Sequence, residues 1–339
     1  MFFDLIRAAP KQRISKPFTQ IWFMKLLISA VLVGVLAQPA MGCDLCAIYS
    51  ASHAQGETGR GPFAGLAEQF THFGTVQVDG HEVDNPSRQH MDSWISQIYA
   101  GYNFTDWAGV QLNLPVIYRY YKRPDNLGGI ETGTETGIGD MALLGTVSPF
   151  RKYEKDFAFK WTLLGGVKFP TGDSGRIAEE LNEVEEPVGP PSGIHGHDLA
   201  LGSGSFDGIV GSGIYTRWHR AFFSASVQYA IRSTGDFDYR YANDLTWFGG
   251  PGYTLILKDE YTLSLELLVS GEYKGKDTFR GEPAEDTAIT SVYLGPQVNF
   301  TCGENLSAFL GIDLPMSVNN SSLQTIADYR VRGGLTWRF

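Results

Sequence analysis

Apolar and polar residues alternate with a period of two along most of this chain. The stretch Phe157–Phe169 is the clearest case. Phe157, Phe159, Trp161, Leu163, Gly165, Val167 and Phe169 fall on one face of an extended strand, and Ala158, Lys160, Thr162, Leu164, Gly166 and Lys168 on the other. Tyr261–Tyr273 repeats the pattern, with Leu263, Leu265, Leu267 and Val269 opposite Thr262, Ser264, Glu266 and Ser270. In 219–232, Ala221, Phe223, Ala225, Val227, Tyr229 and Ile231 oppose Ser224, Ser226, Gln228 and Arg232. The last residues set Tyr329, Val331, Gly333, Leu335, Trp337 and Phe339 against Asp328, Arg330, Arg332, Gly334, Thr336 and Arg338.

Twelve such segments are predicted, centred near Phe70, Ile98, Leu112, Leu143, Leu163, Val210, Val227, Trp247, Leu265, Leu294, Leu310 and Leu335. Those near Val210 and Trp247 are rich in glycine and read less clearly. The connections alternate in length. Short ones lie near Asp106, Lys152, His219, Asp259 and Gly303; longer ones span 79–89, 122–135, 171–197, 233–239, 274–287 and 319–322. This rhythm predicts an all-β fold: a transmembrane, up-and-down antiparallel β-barrel of about 12 strands over 63–339. Short turns and both termini are then periplasmic and the long loops extracellular. Trp107, Phe150, Trp218, Tyr261, Phe300 and Trp337 gather beside the short turns or the C-terminus, where an interfacial girdle belongs, and Tyr118 to Tyr121 supply part of the opposite girdle.

Composition agrees. Aromatics make up 13% and glycine 40 residues, while mean hydropathy is only −0.14. Outward apolar residues alternating with inward polar ones produce that combination. Ahead of the strands, Lys25, an apolar run from Leu26 to about Ala37, and Ala40-Met41-Gly42 read as a signal peptide over 1–42 with cleavage before Cys43. Residues 1–23 precede Met24 and read as an over-extended start. Residues 43–62 then form a short periplasmic segment. Removing 1–42 takes away five basic residues and one acidic residue, leaving 22 against 36 and a net charge of −14. Nucleic acid is therefore not an expected partner.

Several phrases carry a family resemblance: "AEQFTHFG" (67–74), "GIGDMALLG" (137–145), "FPTGD" (169–173), "LGSGSFD" (201–207) and the ending from Asp313 to Phe339. In this order the chain resembles the outer-membrane barrels named for the MetA pathway of phenol degradation, over most of 63–339. The resemblance implies a porin-like transporter for passive uptake of small hydrophobic or aromatic compounds, in the outer membrane of a Gram-negative cell. It brings no catalytic residues. The terminal Phe339 is similar to the signal that such barrels present to the barrel-assembly machinery. Pro115, Pro170 and Pro315 are expected at strand ends or bulges, because proline cannot donate to the ladder.

Alternation nominates Asp140, Lys160, Lys168, Arg232, Glu266, Asp313, Asp328, Arg330 and Arg332 as pore-lining residues. They serve either as opposed charges that filter solutes or as ion pairs that brace a filled lumen. Cys43 and Cys46 form a CxxC after the cleavage site. Four readings stay open there: a disulfide within the pair or to Cys302, a metal or redox site, lipidation of Cys43, and inert thiols. A structural or metal-linked barrel acting through these cysteines is the alternative to transport. The 171–197 loop carries Glu179, Glu180, Glu183, Glu185, Glu186, His195 and His197 among prolines; it is a solvated loop, a cation trap or an inward constriction. An enzyme is not expected, since His72, His90 and His219 have no serine partner pattern. No cofactor is expected, and the pattern leaves monomer or trimer open.

Overall fold

The computed structural model describes residues 59–125, 128–182 and 191–339. The expected signal peptide, Cys43 and Cys46 lie outside these residues. Twelve antiparallel strands follow one another around a closed sheet. They are β1 (Gly61–Val78), β2 (His90–Thr105), β3 (Ala108–Pro124), β4 (Ile130–Ile138 and Ala142–Tyr153), β5 (Phe157–Lys168) and β6 (Asp207–Trp218). The circuit continues with β7 (Ala221–Ile231), β8 (Asp244–Leu257), β9 (Tyr261–Lys274), β10 (Ile289–Cys302), β11 (Leu306–Asn320) and β12 (Leu323–Arg338). β12 pairs with β1 from Phe63–Arg338 to Val78–Leu323, which closes the barrel. The predicted strand number and rhythm hold. The glycine-rich segments are the full strands β6 and β8.

The faces divide as alternation requires. Leu112, Leu143, Leu163, Val210, Val227, Leu265, Leu310 and Leu335 are exposed on the outside. Gln69, Gln97, Gln111, Asn113, Gln228 and Gln297 are buried within. So large an apolar exterior suits hydrocarbon and not water. Phe70, Trp94 and Tyr118 form a run of ring contacts at 4.5 and 5.6 Å on the long-loop half of the wall. The tyrosine cluster splits between the faces: Tyr118 is exposed, while Arg119 and Tyr121 turn inward, 7% and 1% exposed.

Two expectations for the backbone change. Pro115 is not at a strand end. It lies within β3 opposite Gln97, and on its other side β4 is broken at 139–141, where Gly139 N–H donates to the Pro115 carbonyl at 2.9 Å. The missing proline N–H therefore coincides with the gap in the neighbouring strand. The long connections also shift: the β3–β4 link shortens to 125–129, and the β5–β6 link lengthens to 169–206.

Close packing of strands leaves no room for a side chain at Gly295. A Cβ on Gly295 would sit 1.5 Å from the Ile312 carbonyl oxygen of β11, whereas one on Gly145 would meet nothing nearer than 3.7 Å. Gly295→Ala should destabilise the barrel by about 1–3 kcal/mol, as overpacking does, and Gly145→Ala should change little. Urea midpoints followed by gel mobility of unheated protein would show the difference; equal midpoints would contradict the packing argument.

Candidate functional site

The described parts of the β5–β6 connection, 169–182 and 191–206, turn into the barrel. Its 3-10 turn Gly175–Asn182 and helical turn Gly196–Leu199 carry Ile177, Ile194, Leu199 and Leu201 into burial. Ile194 and Leu199 pack with Met91, Tyr121 and Phe73. Leu201 joins Ala67, Ile95, Tyr99 and Ile117, and Ile177 packs with Ala200 and Tyr239. The described part of this loop is therefore not simply solvated: it folds inward as a constriction.

Three arginines hold it. From β3, Arg119 donates to the Ala200 carbonyl at 2.7 Å. Arg123 binds Glu131 at 2.9 Å and reaches the loop at Glu179, 2.8 Å, and at the Ile194 carbonyl. In return, Arg176 of the loop donates to Glu135 of β4, to the Tyr121 hydroxyl at 2.8 Å, and to Glu179. The opposite side is fixed by Thr325 N–H donating to the Gly193 carbonyl, 2.7 Å, and by Tyr241 O–H donating to the His197 carbonyl, 3.0 Å. Within the loop, burial works against a charge on His197, but the carboxylates of Asp198 and Glu180 outweigh it and push its pKa up to about 10. Burial would raise Glu180, yet His197 facing it holds the carboxyl below the usual range.

The nominated charges fall into distinct groups. Lys168 lies between Asp140 at 2.5 Å and Asp207 at 2.8 Å. Asp207 also accepts from Arg232, 2.9 Å, which continues to Asp244. Five charges of alternating sign thus run along the wall from the β4 break to β8. Arg332 forms a two-point bond with Asp313, both contacts 2.7 Å. Arg330 reaches past two strands to Glu272 of β9 at 2.8 Å, with its guanidinium 4.2 Å from the Tyr293 ring. Glu266 accepts from Ser224 and, at 3.1 Å, from Asn299. Lys160 lies at the short-turn end, beside Gln111, Thr162 and Arg338. Asp328 departs from the pattern. It sits at an irregularity where the β1–β12 register skips a partner, and its carboxylate is 3.7 Å from His72. The His72 ring stacks on Tyr329 and bonds Asp92 at 2.6 Å.

Alternation did not single out Asp207, Asp244 or Glu272. Asp207 closes the "LGSGSFD" phrase, and Asp244 opens a glycine-rich strand, so neither had a clear face. Glu272 lies on the face already read from Ser264 and Glu266. The loop arginine Arg176 stood among acidic residues; the apolar Ile177, Ile194, Leu199 and Leu201 around it were the available signal of burial.

Toward the short-turn end, a cavity of about 240 Å³ opens in the wall. Tyr215, Phe222 and Phe248 line it together with Glu266, Gln297 and Arg332. Cys302 is exposed at the end of β10.

No protein-family model matches the chain, and no curated protein matches it in sequence. Among solved structures it is similar to an outer-membrane channel from Pseudomonas putida F1, with a TM-score of 0.55 at 12% identity over 83% of this chain and 96% of that one. A more distant likeness is the β-domain of the Bordetella autotransporter BrkA, with a TM-score of 0.42 at 11% identity over 83% of this chain and 100% of that one. The first likeness shows the fold, a closed β-barrel of the outer-membrane kind.

Arg176→Ala would strip Glu135 and Glu179 of a shared cation and the Tyr121 hydroxyl of a donor. Charged hydrogen bonds of this kind contribute about 1.5–3 kcal/mol each. Limited proteolysis of the folded barrel should therefore cut within 169–206 several-fold faster in the variant. An unchanged rate would show that apolar contacts alone hold the loop.

Proposed function

We propose that the protein is an outer-membrane channel for passive uptake of small hydrophobic or aromatic solutes. Its short turns and chain ends face the periplasm, and its long loops face outward. The observation that carries the reading is the lumen-side cavity: the rings of Tyr215, Phe222 and Phe248 beside the Glu266 carboxylate, the Gln297 and Asn299 amides and the Arg217 and Arg332 guanidiniums. Binding sites for small molecules combine apolar walls with a few placed polar groups, and a dry cavity of about 150 Å³ suffices for benzene. A solute ring would lie against Phe222 and Phe248, with its polar substituent toward Glu266, Gln297 or Arg332.

The paired charges around the wall suit this role. Lys168, Arg232, Arg330 and Arg332 are neutralised largely in place by Asp140, Asp207, Asp244, Glu272 and Asp313, so the lumen presents local dipoles and no single-sign field. Such a lining orients polar substituents without holding ions strongly. The inward loop 169–206 would be the selective element, and "GIGDMALLG", "FPTGD" and "LGSGSFD", which carry the resemblance to the MetA-type barrels, all border it.

The test is flux through the refolded protein in liposomes, against empty vesicles, with neutral aromatics, aromatic acids, sugars and small ions. Aromatics should pass faster than sugars of similar size, and the double substitution Phe222→Ala, Phe248→Ala should reduce that preference several-fold without abolishing ion leakage. Absence of any flux, or equal passage of sugars and aromatics, would rule the proposal out.

A further inference from the structure

The inward loop carries a side-chain cluster that solute passage does not require. His195, His197 and Asp198 lie on the helical turn Gly196–Leu199 and the residue that precedes it. Each offers one ligand atom, and the three atoms lie within 4.8 Å of one another. Asp198 stands between the rings: Oδ2 is 3.9 Å from His195 Nδ1, and Oδ1 is 3.4 Å from His197 Nε2. The rings are stacked, centroids 5.6 Å apart and planes 14° from parallel.

The outer nitrogens are the informative part. Each imidazole turns its second nitrogen to a carboxylate of its own. His195 Nε2 is 3.2 Å from Asp286, and His197 Nδ1 is 2.9 Å from Glu180. Histidines that ligate metals almost always hold their other ring nitrogen in this way, because the carboxylate fixes the tautomer and the ring orientation. A single histidine beside an acid is commonplace. Two adjacent histidines, each with a separate outer carboxylate and sharing one inner carboxylate, form a complete set of ligands and orienting partners. The cluster is also sheltered on one side only. His197 and Glu180 side chains are 4% and 5% exposed, and Asp198 is 34% exposed, so a water has access to a fourth position.

We infer that His195, His197 and Asp198 bind a divalent transition-metal ion of the zinc class, with Glu180 and Asp286 orienting the two imidazoles. Two imidazoles and a carboxylate suit such an ion, whereas calcium and magnesium take oxygen ligands. Metal–ligand bonds of about 2.0–2.2 Å place tetrahedral ligand atoms roughly 3.3–3.5 Å apart, so the observed spacings close with small side-chain rotations. The site also ties three segments together: the 3-10 turn through Glu180, the helical turn, and the β9–β10 loop through Asp286. A bound ion would clamp the inward loop to the barrel rim, whether or not the lumen conducts.

The test uses the whole refolded protein, freed of metal by a chelator and with its thiols alkylated so that cysteines cannot compete. Zinc is titrated calorimetrically and cobalt by visible absorption. Wild type should bind one equivalent, with a cobalt spectrum of tetrahedral nitrogen and oxygen ligation. His195→Ala and Asp198→Asn should each lower affinity by about 100-fold or more, and Glu180→Gln and Asp286→Asn by about 10–100-fold. Far-ultraviolet circular dichroism of each variant reports that the barrel is intact, and His195→Asn provides a second, less disruptive removal of the same ligand. Lack of saturable zinc binding by wild type, or binding that survives either ligand substitution, would overturn the site.

Discussion

A backbone amide in hydrocarbon has no water to bond, so every strand that crosses a membrane needs a partner on both sides. The pairing of β1 with β12 meets that demand, and the rest of the architecture follows from it. Closure with antiparallel neighbours brings both ends of the strand circuit to one rim. It permits tight turns there, as at 106–107 and 219–220. Even the last residue contributes, since Phe339 N–H donates to the Pro62 carbonyl at 3.1 Å. Once the seam is closed, one face of every strand is committed to lipid and the other to an interior cut off from it.

That interior is wider than its own side chains can fill everywhere, and it is polar. Polar groups out of bulk water need partners, which accounts for the alternating run Asp140, Lys168, Asp207, Arg232, Asp244 and for the Arg330–Glu272 contact across three strands' width. Removing one member of a buried pair leaves a charge stranded, at a cost of about 3–5 kcal/mol. The wall charges therefore behave as a unit. The loop between β5 and β6 meets the same requirement differently: Arg119 and Arg123 of the wall donate to its carbonyls and carboxylate, and Ile194, Leu199 and Leu201 give it an apolar underside that packs on inward Met91, Ile95 and Ile117 of the wall.

Much of the barrel was legible because its two faces meet solvents of opposite character. Alternation located all twelve strands and the faces of β5, β7 and β9. It faltered where glycine leaves no side chain to read, in β6 and β8, and where the register changes, at Asp328. It also treated Tyr118 to Tyr121 as one girdle, though a strand must send half of them inward. The site was less legible for a different reason. Its contacts join residues far apart in sequence, such as Arg330 with Glu272 or Arg176 with Glu135, and no local period encodes them. A loop rich in glutamate and proline reads as solvated unless its few aliphatic positions are weighed against a hollow interior.

The inversion of the fold bears on what interior residues mean. In a water-soluble domain a buried phenylalanine is explained by the core it helps to form. Here the backbone ladder and the outward leucines meet the demands of the membrane, so folding does not by itself require rings in the lumen. Many inward positions of the wall are glutamine, serine, threonine or asparagine, and inward rings such as Tyr99, Tyr121 and Tyr293 are almost wholly buried against their neighbours. Tyr215, Phe222 and Phe248 differ in being only partly buried, and they lie together around one cavity beside Glu266 and Arg332. Rings placed where water would otherwise be the neighbour expose apolar surface at a free-energy cost. An aromatic solute covering those rings would recover it, which is why the cavity speaks for the chemistry of the solute and not for the stability of the barrel.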